Sequence, residues 1–345
     1  MALFHAFFFL RSGIFLSVLR NMAVRCPCSA HDRLAIMDHP VHRSAHATPT
    51  PKGGGIGVMV AFGLFFPLMQ LLTGQPVLSL SCILTACALV LLCSVSWLDD
   101  LYQWPPTIKL AAQTAAACMV VGGGISLSWP TPLTGAILSV LWLIFMTNAT
   151  NFMDGLNGLI SGCLSCAAVA LAVVAPTFGV PELQWPSLLL ACSLLGFLPF
   201  NFPHARIFMG DVGSQGCGLL AGTAALYIAS HTTLPGGWLL GPALLFPLIY
   251  DVVFTLIRRG CAGHPLLRAH RGHLYQILHR SHVPVPVVSG LEWCMTLWGC
   301  TIASLVAPTA NIWTSAGGLA LLMLPQLAWT AFAVARTRTH PVGRW

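Results

Sequence analysis

Four carboxylates in this chain sit among neighbours that suit phosphate and cation chemistry. Trp97-Leu98-Asp99-Asp100 places two acids side by side at the end of an apolar run. Adjacent carboxylates repel, and a cation or a substrate proton between them relieves the repulsion. The stretch from Asn148 to Gly158 holds Asn148, Asn151 and Asp154 between glycines. Its amide and carboxylate oxygens are hard donors suited to Mg²⁺, and its glycines allow close backbone approach to a phosphate. The stretch from Ala205 to Ser214 contains Arg206 and the turn Gly210-Asp211-Val212-Gly213-Ser214, which opens a helix. A helix N-terminus favours a phosphate, and Asp211 is a candidate metal ligand. Each stretch also has a plainer reading. The Asp pair reads as a solvated span end, the second stretch as a polar turn, and Asp211 or Ser214 as a helix cap.

Two basic stretches accompany these acids. Asp38-His39-Pro40-Val41-His42-Arg43-Ser44-Ala45-His46 runs on to Pro49-Thr50-Pro51-Lys52-Gly53-Gly54-Gly55. Arg43 and Lys52 can pair with phosphates, and the glycine run offers a flexible array of backbone donors. Arg258-Arg259 is followed by Arg268-Ala269-His270-Arg271-Gly272-His273. Arg and His at this density suit a diphosphate. The plainer reading of both is a basic membrane-flanking loop.

The elements that position these groups have to be membrane helices. Of 345 residues, 56% are hydrophobic and 7% charged. Soluble domains carry about 25% charged residues, so lipid must cover much of this surface. The net charge of +7 points to basic loops on one membrane face and not to nucleic acid. Apolar runs near the spanning length of about 20 residues fall at 2–20, 54–74, 76–97, 107–126, 133–150, 158–179, 186–202, 213–231, 236–257, 286–307 and 311–335. The sequence thus predicts an all-α polytopic bundle of about eleven spans, ten if residues 2–20 do not cross, in a single domain. The connections 21–53, 98–106, 151–157, 203–212 and 258–285 and the tail 336–345 carry nearly all of the loop Lys and Arg. The opposite connections carry none. The basic set is therefore cytoplasmic, with the N-terminus outside and the C-terminus inside. Most acids share that face, which the charge rule does not require. Most of the 13 Cys lie in apolar runs and behave as small hydrophobes, and no disulfide framework is implied.

In this order, the five stretches resemble the polyprenyl-phosphate N-acetylhexosamine-1-phosphate transferase superfamily, glycosyltransferase family 4. The similarity runs from about Asp38 to Gln276. The family's paired Asp motif matches Asp99 and Asp100. Its Asn-x-x-Asn-Phe-x-Asp-Gly motif matches Asn148, Asn151 and Asp154, and its Ala-Arg-x-Phe-x-Gly-Asp-x-Gly-Ser motif matches Arg206, Asp211 and Ser214. Its early stretch matches Asp38, Arg43, His46 and Lys52. Two departures stand out. Relatives that use muramoyl-pentapeptide donors place a Lys three residues after the Asp pair, where this chain has Gln103. Many relatives read His-x-His-His where this chain reads His273-Leu274-Tyr275-Gln276, so only His273 carries over. The pattern is similar to the branch that initiates lipopolysaccharide O-antigen chains.

The resemblance implies transfer of a sugar-1-phosphate from a UDP-activated amino sugar to undecaprenyl phosphate at a bacterial inner membrane. It implies Mg²⁺, with Mn²⁺ as a substitute, and a homodimer. On that reading Asn151 and Asp211 contact the metal with Asp154 nearby. Asp99 or Asp100 accepts or orients the acceptor's proton. Arg206, Arg271, His273 and Lys52 hold phosphates. The rival class is an ion-coupled transporter, which predicts acids at mid-span.

Overall fold

The computed structural model describes residues 37–38, 49–265 and 270–343. The candidate span 2–20 and the candidate residues Arg43 and His46 lie outside them, and of Asp38 only the backbone is described. Twelve α-helices occur among the described residues: α1 (Gly54–Thr73), α2 (Leu80–Tyr102), α3 (Pro106–Gly122), α4 (Pro132–Met153), α5 (Leu159–Val174), α6 (Gln184–Asn201), α7 (Gly210–His231), α8 (Leu240–Leu244), α9 (Phe246–Cys261), α10 (Leu274–Arg280), α11 (Val285–Val306) and α12 (Ile312–Thr339). A two-residue antiparallel ladder, β1 (Met37–Asp38) with β2 (Thr50–Pro51), precedes them.

The ten predicted spans between 54 and 335 all fall on helical segments. Among the described residues, seven helices are long and apolar enough to cross a membrane, or eight counting one bent pair. Helices α3 and α5, at 17 and 16 residues, are shorter; at 1.5 Å per residue each is about 24–26 Å long. The predicted span 236–257 is not one helix. Gly237–Leu244 and Phe246–Cys261 meet at 67°. Pro247 in the first turn of α9 explains the break, because its ring excludes the carbonyl four residues earlier and it lacks an N–H.

Helix α7 is the hub. Burial covers 72% of its apolar stretch, against 22% for α2. It packs on α4, α2 and α1, while α2 also lies on α3 and α5 lies on α6 and α11. Small residues make the close contacts possible. A Cβ on Gly55 of α1 would lie 2.2 Å from Gly213 Cα, and one on Gly218 would lie 2.8 Å from the Met146 carbonyl oxygen of α4. The outer faces keep large apolar side chains exposed, such as Leu64, Leu71, Leu141 and Leu305. In water such a surface would aggregate; in lipid it needs no cover.

Candidate active site

One end of the bundle gathers the end of α2, the start of α3, the end of α4 and the start of α7. The acidic pair is not on a loop. Helix α2 continues to Tyr102, so Asp99 and Asp100 occupy its last turn. Carboxylates there face the negative end of the helix dipole, and a cation has to compensate. Lys109 on α3 supplies it. Its ammonium lies 2.5 Å from Asp99 Oδ2 and 2.7 Å from Asp211 Oδ2. Gln103, where some relatives have Lys, instead ends α2 with φ 52° and donates its N–H to the Asp99 carbonyl. In the sequence Lys109 lies inside an apparent span, where a lone charge is the signal that marks it.

Asp211 opens α7, where the dipole favours a carboxylate. Asn151 Nδ2 donates to Asp211 Oδ1 at 3.1 Å and to Ser214 Oγ at 2.9 Å. Consecutive helical residues point about 100° apart, so Asp100 diverges from Asp99. Its Oδ2 faces Gly210 beside Lys52 Cβ, and Lys52 acts on both Asp100 and Asp154. Lys52 is fixed by a backbone bridge to Phe208. The glycine run after it is not a free donor array. The N–H groups of Gly53 and Gly54 both donate to the Phe208 carbonyl, and Gly55 donates to that of Met209. They seat α1 against the start of α7 instead of waiting for a phosphate. The structure therefore unites Asp99, Asp100, Asn151, Asp154, Asp211, Ser214 and Lys52. Asn148 is close by but points its amide at Gln113. Arg206 is exposed on the 202–209 connection.

A second cluster closes on the turn after α4. Asp251, 1% exposed on α9, accepts from His273 Nδ1 at 3.0 Å and from the Leu274 and Tyr275 N–H groups at 3.0 and 3.1 Å. Tyr275 then donates its hydroxyl to the Phe152 carbonyl at 2.8 Å, and Gln276 donates to that hydroxyl. A Cβ on Gly155 would lie 2.2 Å from the Tyr275 oxygen, so this contact requires the glycine. The His270 and His273 rings stack with centroids 5.1 Å apart, and the Phe152 ring lies tilted against His273 at 6.2 Å. His273 is buried, while Arg271 lines an open cavity of about 180 Å³ with Arg258, Arg259, His264, His270 and Arg280. Burial and the neighbouring cations push His270 down to about 4, so at neutral pH the arginines carry this cavity's charge. Glu292 is different again: it is fully buried within α11, packed inside the bundle and not solvated at a span end.

Residues 81–229 match the model of glycosyl transferase family 4. Decaprenyl-phosphate N-acetylglucosaminephosphotransferase of Mycobacterium tuberculosis is 31% identical over 287 residues, covering 71% of this chain and 69% of the relative. The chain belongs to glycosyl transferase family 4. A Bacillus subtilis family member, named a probable undecaprenyl-phosphate N-acetylglucosaminyl 1-phosphate transferase, is 28% identical over 82% of this chain and 80% of its own length. The phospho-N-acetylmuramoyl-pentapeptide-transferase of Moorella thermoacetica is 40% identical, over only 34% of this chain and 35% of its own. The family match from 81 to 229 spans Asp99, Asp100, Lys109, Asn151, Asp154 and Asp211.

The donors fit a hard cation. All are oxygens, and Asp99 Oδ1 is buried without a hydrogen-bond partner. Among the described residues no three His, Cys, Asp or Glu side chains form a ready metal cage. Mg²⁺ usually takes one or two carboxylates and completes its shell with water and substrate phosphates, and Asp99 and Asp211 are two such carboxylates.

Proposed function

We propose that this protein transfers a sugar-1-phosphate from a UDP-activated N-acetylated hexosamine or 6-deoxyhexosamine to undecaprenyl phosphate, releasing UMP. The reaction takes place at the cytoplasmic face of a bacterial inner membrane and starts a cell-envelope glycan, with O-antigen as the favoured pathway. The observation that carries the reading is the convergence of Asp99, Asp100, Lys109, Asn151, Asp154 and Asp211 at one bundle end, within a family of lipid-phosphate transferases.

Phosphoryl transfer asks a protein mainly for positioning and charge neutralisation. An oxygen of the lipid phosphate attacks the β-phosphorus of the donor, and the bond to the nucleoside monophosphate breaks. Asp99 gives its Oδ2 to Lys109 and keeps only Oδ1, which has no hydrogen-bond partner, for a metal. Asp100, half-buried beside Lys52 and Gly210, is the carboxylate free to meet the acceptor phosphate, to orient it or take its proton. Lys109 and Lys52 hold positive charge where phosphate oxygens gather. Asp211, Asn151 and Asp99 would hold Mg²⁺, or Mn²⁺ in its place, which supplies charge neutralisation for the diphosphate. Arg271 and its neighbours offer cations to the distal part of the donor.

The test is a membrane or detergent assay with labelled lipid phosphate and a panel of UDP-N-acetylhexosamines with and without a 6-hydroxyl. Metal-dependent formation of a lipid-diphosphate sugar and UMP is expected, lost in Asp211→Ala and Asp100→Ala. If both variants form product as fast as the unaltered protein, the site is wrong.

A further inference from the structure

One turn below the ionic centre, the same three helices meet a second time. Lys109 and Gln113 are four residues apart on α3, Asp211 and Gln215 four apart on α7, and Asn151 and Asn148 three apart on α4. Those spacings put each pair on one helical face, with the amide member further inside the bundle. The upper members make the Lys109–Asp211–Asn151 contacts. The lower members make a network of their own. Gln113 Nε2 donates to Gln215 Oε1 at 3.0 Å and to Asn148 Oδ1 at 3.3 Å. Asn148 Nδ2 donates back to Gln113 Oε1 at 2.7 Å and to the Ile144 carbonyl at 2.8 Å. Gln215 Nε2 reaches Asp211 Oδ2 at 3.4 Å, which links the two tiers. Gln113 and Gln215 are 4% and 2% exposed.

We propose, resting on the transfer reading above, that this buried amide tier sets the rotation of α3, α4 and α7 and so places Lys109, Asp211 and Asn151 for transfer. Gln113 and Gln215 are then positioning residues. An amide side chain offers two N–H donors and one carbonyl oxygen. Gln113 and Asn148 each use all three on partners within the protein, which leaves neither a spare N–H for a ligand. Their N–H groups are therefore spent on geometry. An unpaired amide in a membrane interior is costly, so removing one member strands the others. A helix slipping by one residue turns its face by about 100° and would break both tiers at once. Neutral amides impose that direction without adding charge beneath a centre that already holds four acids and two lysines.

The experiment compares the unaltered full chain with Gln113→Leu, Gln215→Met and the swap Gln113→Asn with Asn148→Gln, all purified in one detergent. Folded fraction is read from size-exclusion profiles and thermal melts, Mn²⁺ binding from its electron paramagnetic resonance signal, and kcat and KM from metal-dependent transfer. Per folded molecule, the two single variants should lose about tenfold in both Mn²⁺ affinity and kcat, the usual scale for supports of a metal centre. The KM for lipid phosphate should stay within about twofold, because the tier touches no substrate. The swap rebuilds the amide pair from opposite sides and should recover most of the loss. Folded Gln113→Leu or Gln215→Met with normal kcat and normal Mn²⁺ affinity would overturn the proposal, as would a loss confined to folded yield. If neither single variant folds, a folded swap that lacks Mn²⁺ binding overturns it, and one that binds supports it. Absence of metal-dependent transfer by the unaltered protein would sink the functional reading instead, and the Mn²⁺ data would still judge the tier.

Discussion

At Lys109 one ammonium meets Asp99 at 2.5 Å and Asp211 at 2.7 Å. Removing one partner of such a group leaves charges uncompensated in a partly dry site. Lys109→Met should lower transfer about a hundredfold or more, the scale seen when a charge-stabilising group is lost, as read by kcat at saturating metal. Lys109→Arg should rescue poorly, because a planar fork does not replace a compact point charge. Asp154 makes a different prediction. Burial, and then the charge of Asp211, push its carboxyl well above the ordinary range, while Lys52 pulls it down. A carboxyl raised on folding binds its proton more tightly in the folded chain. Its contribution is present at pH below the unfolded value and is lost as pH rises through the folded one. Asp154→Asn keeps the shape without the charge. It should melt higher than the unaltered protein at about pH 8, with the gap closing toward about pH 4, while transfer falls.

Among the elements, α1 and α7 touch backbone to backbone. A Cβ on Gly55 would meet Gly213 Cα at 2.2 Å, while one on Gly57 would meet nothing within 4 Å. Both glycines lie in the first turn of the same helix, so helix propensity favours alanine at either. Gly55→Ala should cost about 1–3 kcal/mol through forced separation and should disturb the start of α7, where Asp211 sits. Gly57→Ala should stay within about 0.5 kcal/mol of the unaltered protein. Thermal melts of the two variants, with transfer measured alongside, check the pair. Element order also explains the Tyr275 bridge. Short α10 has its first N–H groups held by Asp251 on α9 and its Tyr275 hydroxyl on the α4 turn. It thereby ties α9 to the turn that carries Asp154.

For the whole molecule, the acids of the site and the described basic connections share one bundle end. A nucleotide sugar cannot cross lipid, whereas the lipid phosphate arrives within it. Transfer should therefore be several-fold faster in sealed inverted vesicles than in right-side-out ones, and opening the right-side-out vesicles with detergent should abolish the difference. Equal rates in both sealed preparations would contradict the orientation inferred from positive charge.

Much of this was legible without coordinates. Composition demanded a membrane bundle, and ten apolar runs fell on helices. Asp99, Asp100, Asn151, Asp154 and Asp211 stood out because hard oxygen donors in glycine-rich turns carry their chemistry in their spelling. What distance alone reveals was not legible. Lys109 reads as a stray charge in a span until α2, α3 and α7 meet. Gln113 and Gln215 read as tolerated polar residues until each is seen to satisfy the other. The glycines after Lys52 read as donors until the Phe208 carbonyl takes two of their N–H groups. The sequence alone determined the solvent, the segment order and the chemical inventory, since these follow from local composition. Only the tertiary structure decided which charge neutralises which. Coulomb energy and hydrogen bonding depend on separations of a few ångströms between residues more than a hundred positions apart.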